Sequence, residues 1–437
     1  MADVYTGAEP DLAALLAARP AFSMNVREGL SFESVPLNAI ADQFGTPVWV
    51  YGAGSIRARF AALKAAFAGE NLPVHIHYAV KANDHLAILS QFQRLGAGAD
   101  VVSIGEFLRA RQAGVAAADI VYSGVGKSAE ELETALGQGI GQINVESAEE
   151  LEMLSGIATR LGVTAPVVLR MNPDVDAGTH AKITTGLAEN KFGIAAADIP
   201  ALYAHAASLP GIRALGLALH IGSQILSTEP YAKAYAKAAD MVRALRDQRL
   251  SVEVLDLGGG IGIGYHDEPG MNLAAFAATI RRTVGDLGVR LMVEPGRYLV
   301  GPAGLLLASV ILQKRTQKRF VVLDAAMNEL MRPALYEAWH GILPVDPALF
   351  HTAQTQADVV GPICESADCF AQDRALPDLP PGTRVALLDT GAYGAVMSSA
   401  YNARPRAASV LVDGGKAVLI TPRQPPQDLW ADEIVPA

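Results

Sequence analysis

The sequence predicts an α/β protein, a TIM-like (β/α)8 barrel followed by a mostly antiparallel β-domain. Between about residues 74 and 297, short apolar runs alternate with helix-like stretches, the pattern of parallel strands joined by helical crossovers. The runs number eight, which favours closure into a barrel over an open sheet. Past Gly301 the texture changes: LLLASVILQ, RFVVLDA, RVALLDT and SVLVDG are separated by turn-rich pieces with few helical patterns, as in an antiparallel domain.

The strand candidates are HIHYAVKA (75–82), GADVV (98–102), IVYSG (120–124) and QINVES (142–147), then PVVLRMN (166–172), ALGLALHIG (214–222), VEVLDLGG (252–259) and RLMVEPG (290–296). The stretches between them, such as SAEELETALGQG and AEELEMLSGIATRLG, carry acids early and glycine late, as helices do. Residues 46–300 are therefore assigned to the barrel and 301–437 to the β-domain. Residues 1–45 are expected to pack with the β-domain.

At 437 residues the chain is too long for one ordinary core, in keeping with two domains. Half of it is hydrophobic (51%) and 18% is charged, a globular composition. Thirty-five basic against 45 acidic residues give a formal charge of −10, which argues against nucleic acid or an anionic membrane as partner. Two cysteines, Cys364 and Cys369, make no disulfide framework and fit a reducing compartment. No signal-peptide pattern opens the chain and no apolar run reaches spanning length, so a cytoplasmic protein is expected. No metal site is expected.

Most strands end in polar or glycine residues: Lys81, Asp100, Ser123, Asn144, Arg170 with Asn172, His220 with Ser223, Gly258–Gly260, and Glu294 with Arg297. In a (β/α)8 barrel those ends form the active-site face. Any one could be an ordinary polar loop residue; eight in register are harder to dismiss. Two nucleotide-site look-alikes fail. SGVGKS (123–128) lacks the first glycine of a P-loop, and GGGIGIG (258–264) satisfies no strict G-x-G-x-x-G. A glycine-rich turn can still present backbone N–H groups to a phosphate. Lys81, at the end of an apolar strand, could snorkel to the surface. Turned into a barrel mouth it would lose hydration, which favours the neutral amine that condenses with an aldehyde.

YAVKAN, GADVVSIGEF, HIGSQI, DLGGGIG, EPGR, GPICES and GAYG occur in that order. From about residue 40 to 420 the chain resembles the alanine-racemase-type pyridoxal phosphate (PLP) enzymes, specifically the diaminopimelate/ornithine/arginine decarboxylase family. His180–Ile194 (HAKITTGLAENKFGI) is similar to the branch that acts on diaminopimelate. The resemblance implies a carboxy-lyase with PLP as cofactor that turns meso-2,6-diaminopimelate into L-lysine and CO2, the last step of lysine biosynthesis.

It also implies a role for each matching position. Lys81 would hold PLP covalently. Gly258, Gly259, Gly260 and Ser223 would take the phosphate, with Arg297 and Tyr393 also at the cofactor. His220 would lie against the pyridine face and Glu294 would pair with the pyridine nitrogen. Racemases on this scaffold carry an arginine in place of that acid. Arg297, Arg332, Tyr336, Glu365 and Tyr393 would bind the substrate, the arginines through the bidentate geometry that suits carboxylates. Cys364 would return a proton to the carbon that loses CO2. In such a family Cys364 and Glu365 complete the site of the other subunit, so a homodimer with shared active sites is implied. The rival readings are decarboxylation of arginine, ornithine or a carboxy-polyamine, an amino-acid racemase, and a non-catalytic relative.

Overall fold

The computed structural model describes residues 9–176 and 191–436. Contacts divide the chain into two units: Ala58–Ile263 with Pro269–Leu299, and the described parts of Tyr5–Arg57, Gly264–Glu268 and Val300–Ala437. Most of His180–Ile194 lies outside the described residues.

The first unit is the barrel. Its strands are β1 (Val74–Ala79), β2 (Gly98–Val101), β3 (Ile120–Tyr122), β4 (Gln142–Val145), β5 (Ala165–Asn172), β6 (Ile212–Ala218), β7 (Val254–Asp256) and β8 (Arg290–Val293). Each pairs in parallel with the next, and β8 pairs in parallel with β1, Val293 opposite Ile76. The sheet therefore closes without an edge. Val121, Val168, Leu215, Ala218, Val254 and Met292, from five strands, form one apolar cluster. β6 carries a register shift between Ala214 and Gly216. A Cβ on Gly216 would stand 1.8 Å from the Val254 carbonyl oxygen, so only glycine fits this approach of β7.

The crossover helices begin and end where local chemistry dictates. Ala129–Gly137 starts in a capping box in which Ser128 and Glu131 satisfy each other's backbone N–H groups. Ala148–Leu161 is capped by Ser147, has Glu149 and Glu150 in its first turn, and stops at Gly162 with φ +68°.

The second unit is a mixed sheet. Its path runs Cys369–Leu376, Thr355–Val360, Arg319–Leu323, Gly304–Arg315, Val48–Gly52, Ala408–Asp413, Lys416–Thr421. Two pairings are parallel, Arg319–Leu323 with Thr355–Val360 and Val48–Gly52 with Ala408–Asp413; the others are antiparallel. Val48–Gly52 corrects the expected boundary at residue 46. All five of its residues are buried and both of its edges pair within this sheet, so the barrel unit begins only at Ala58. The helix Leu12–Ala17 and the small sheet of Phe22–Asn25, Gly29–Phe32 and Val35–Pro36 also belong to the second unit. Leu12, Phe22 and Phe32 share a core with Leu307, Leu343 and Leu388, each burial favouring the fold by about 1.5–3 kcal/mol. No helix among the described residues is long and apolar enough to cross a membrane.

Candidate active site

Lys81 does not extend β1. The strand ends at Ala79, and Val80–Ala82 form a single 3-10 turn. Two contacts pin that turn. The Tyr78 ring stacks on Phe92 at 4.0 Å, and its hydroxyl donates to the Asn83 carbonyl at 2.9 Å. Glu294 follows β8 directly, and Pro295 accepts a 3.2 Å bond from the Ala79 N–H. A Cβ on Gly296 would lie 3.0 Å from that of Ala82. The close packing of these two turns draws the lysine and the acid to one stretch of the rim.

The Lys81 amine lies 2.9 Å from Asp100 Oδ2, with its side chain 35% exposed and that of Asp100 fully buried. The amine at the barrel mouth is therefore paired with a buried acid rather than set among apolar groups alone. Behind it sit two more buried carboxyls, Asp256 and Glu294. Asp256 accepts from the Gly258 N–H at 3.1 Å and from Gln142 Nε2 at 3.1 Å. Asn144 Nδ2 reaches Asp256 at 3.5 Å, Glu294 at 3.4 Å and the Ser123 hydroxyl at 3.1 Å. Burial holds the Glu294 carboxyl well above the usual carboxylate range, and the charges of Asp100 and Asp256 add to this. Burial raises Asp256 as well, and Asn144 Nδ2 reaches both acids.

His220, just past β6, accepts the Gly259 N–H on Nδ1 at 3.1 Å. Burial first, then the charges of Arg170 and Lys81, push it well below the ordinary histidine range, so the ring is neutral with its proton on Nε2. The glycines here serve close approach. A Cβ on Gly258 (φ +68°) would lie 2.2 Å from the Leu219 oxygen, and one on Gly259 would lie 2.2 Å from the Glu294 oxygen. Arg297 is buried and donates to Ser223 Oγ at 3.1 Å.

Sequence reasoning passed over several participants. Asp256 was read only as part of a glycine motif, and Gln142, Glu146 and Glu150 went unmarked. Glu146 pairs with Arg170 at 2.6 Å and accepts the Gly193 N–H at 2.8 Å. They share no single sequence signal: Gln142 opens β4, Glu146 follows it, Glu150 lies in the first turn of the next helix, and Asp256 closes β7. Lys127, from the P-loop look-alike, is a structural lysine that bonds the Asn144 carbonyl at 2.9 Å and Glu150 at 2.8 Å.

The remaining candidates lie in the second unit. Arg332 is buried at the start of the helix Arg332–Tyr336, its Nη1 2.7 Å from His340 Nε2. Tyr336, at the end of that helix, is half-buried. Cys364 and Glu365 are exposed: the Cys364 N–H donates to Asn402 Oδ1 at 3.0 Å and Glu365 accepts from the Tyr401 hydroxyl at 2.6 Å. Tyr393 sits at φ +55°, a left-handed conformation that costs a non-glycine residue about 1 kcal/mol or more and concentrates at functional sites.

An amine, a buried acid whose burial favours its protonated form, a flat neutral imidazole and a glycine-rich turn at one barrel mouth suit an aldehyde cofactor that bears a ring nitrogen and an anionic tail. The molecule is of the class of cofactor-dependent barrel enzymes. Residues 53–301 match the model of the pyridoxal-dependent decarboxylase family, pyridoxal binding domain. The chain belongs to that family, and pyridoxal phosphate is its cofactor. It is 47% identical over 413 residues to a diaminopimelate decarboxylase of Zymomonas mobilis, with 92% of this chain and 96% of that one covered. Among solved structures, Helicobacter pylori diaminopimelate decarboxylase complexed with L-lysine is 40% identical with a TM-score of 0.87, covering 91% of this chain and 99% of that one. The M. jannaschii diaminopimelate decarboxylase in complex with L-lysine is 34% identical with a TM-score of 0.91, covering 96% and 99%.

Proposed function

We propose that this chain decarboxylates meso-2,6-diaminopimelate to L-lysine and CO2, the closing step of lysine biosynthesis. The observation that carries the reading is the joining of Lys81 and Glu294 at one barrel mouth, on adjoining turns, with the Glu294 carboxyl buried and held well above the usual carboxylate range. Near-full-length similarity to diaminopimelate decarboxylases supports the substrate.

Lys81 Nζ would hold the cofactor through its aldehyde carbon, and Asp100, 2.9 Å away, positions that nitrogen. Bound pyridoxal phosphate supplies the sink for the electron pair left behind when CO2 departs. Glu294 would pair with the ring nitrogen, and Asn144, which also reaches Asp256, helps fix that carboxyl. His220, neutral and flat, would pack against the ring face. The N–H groups of Gly258 and Gly259 already donate to Asp256 and His220. Gly260, Ser223 and Arg297 would hold the cofactor's phosphate, with the Tyr393 hydroxyl, and Gly258 and Gly259 would join them once those two bonds are given up. Arg297, Arg332, Tyr336 and Tyr393 bind the substrate, and Glu365 meets its distal ammonium. Cys364 Sγ returns a proton to the carbon that has lost CO2. The exposure of Cys364 and Glu365 supports a homodimer in which each subunit completes the other's site.

A coupled assay of CO2 and L-lysine release from meso-diaminopimelate, with Lys81→Ala as control, tests the function. Equimolar CO2 and lysine from the wild type and neither from the variant are expected. Gas from arginine or ornithine but not from diaminopimelate would overturn the substrate.

A further inference from the structure

Arg332 and His340 are both buried in the second unit, 6% and 1% exposed. Arg332 Nη1 stands 2.7 Å from His340 Nε2. A guanidinium can only donate, so Nε2 is the acceptor and carries no proton. The other ring nitrogen, Nδ1, is 2.8 Å from the Leu388 carbonyl oxygen, which can only accept. The ring is thus neutral with its proton on Nδ1; a second proton would set N–H against N–H at Arg332.

The supports of this imidazole are themselves fixed. Leu388 follows the strand Arg384–Leu387 and its N–H donates to the Gly341 carbonyl at 2.9 Å. Arg374 donates to the His340 carbonyl at 2.9 Å. Tyr265 meets the His340 ring edge-on at 5.4 Å and lies under the Arg332 guanidinium at 4.8 Å. Strand and aromatic ring hold the histidine, and the histidine in turn aims the arginine.

We propose that His340 is the positioning residue for Arg332. It is a neutral acceptor that fixes the guanidinium plane for the distal carboxylate of the substrate while leaving its positive charge intact. A carboxylate in its place would hold the arginine as firmly but offset the charge the substrate needs. The proposal rests on the reading of Arg332 as a substrate-binding residue.

Steady-state kinetics of the holoenzyme test it. L-Lysine keeps the distal amino-acid end of the substrate, and cadaverine, which lacks a carboxylate, is the control inhibitor. His340→Leu removes the acceptor. KM for meso-diaminopimelate is expected to rise about tenfold, the loss of a hydrogen bond to a charged group. L-Lysine inhibition should weaken by the same factor, with kcat and cadaverine inhibition little changed. His340→Gln, whose amide can accept from Arg332 and donate to Leu388, should restore KM, whereas His340→Asn, too short to span both, should not. Adding His340→Leu to Arg332→Ala should raise KM no further. If Arg332→Ala raises KM but a folded His340→Leu does not, the positioning role is overturned. Should His340→Leu fail to fold, equal KM in the Gln and Asn variants overturns it as well. If Arg332→Ala itself leaves KM and lysine inhibition unchanged, it is the substrate-binding reading that fails.

Discussion

In the barrel unit, Asp100, Asp256 and Glu294 are buried and tied to Lys81, Asn144 and Gln142 through hydrogen bonds and charge. In the second unit, Arg332 is buried against His340, while Cys364 and Glu365 lie open to solvent. The first set is preorganised within one chain, since its groups are desolvated before any ligand arrives. The exposed pair cannot by itself exclude water from a reacting carbon. Cofactor chemistry therefore belongs to the barrel, and part of substrate handling and proton return belongs, as proposed above, to a surface that a second subunit covers.

The largest effect expected from breaking this contrast lies in the barrel. Glu294→Gln cannot keep a proton on the ring nitrogen, and kcat should fall about 100-fold or more, measured by CO2 release at saturating cofactor. A more pointed test concerns the exposed pair. Lys81→Ala and Cys364→Ala homodimers should each be inactive, and mixing them under subunit exchange should restore about a quarter of wild-type activity. Restoration fails if both residues serve the same subunit's site.

The smallest effect is on stability. Burial lifts the Glu329 carboxyl to about 7, and it accepts from the Ala326 N–H and Asn328. A raised carboxyl favours folding fully below its unfolded value and loses that favour as pH rises through about 7. Glu329→Gln should therefore gain about 2 kcal/mol relative to the wild type between pH 5 and pH 8, read from denaturant midpoints at the two pH values.

The barrel was legible because its strands alternate with capped helices: Ser128 with Glu131, and Ser147 with Gly162, mark helix ends in the sequence itself. Lys81, His220 and Glu294 were legible from their places at strand ends and from the motifs that contain them. Val48–Gly52 was not, because VWVYG is apolar throughout and reads alike in either sheet; its partners, Gly304–Arg315 and Ala408–Asp413, are hundreds of residues away. The ion pair at Lys81 was hidden for a related reason. Asp100 was visible as a strand-end acid, but its turn toward the amine depends on the parallel register of Ala79 with Asp100. His340 gave no periodic signal, since its role arises from one proton's position between Arg332 and Leu388.

The central claim is that Lys81 is the amine that carries pyridoxal phosphate at the barrel mouth. Borohydride reduction of the holoenzyme, followed by peptide mapping, tests it directly. The account predicts one pyridoxyl group per chain, on the peptide that contains Lys81. A label on Lys127 or any other lysine, or none from a fully active enzyme, would contradict it.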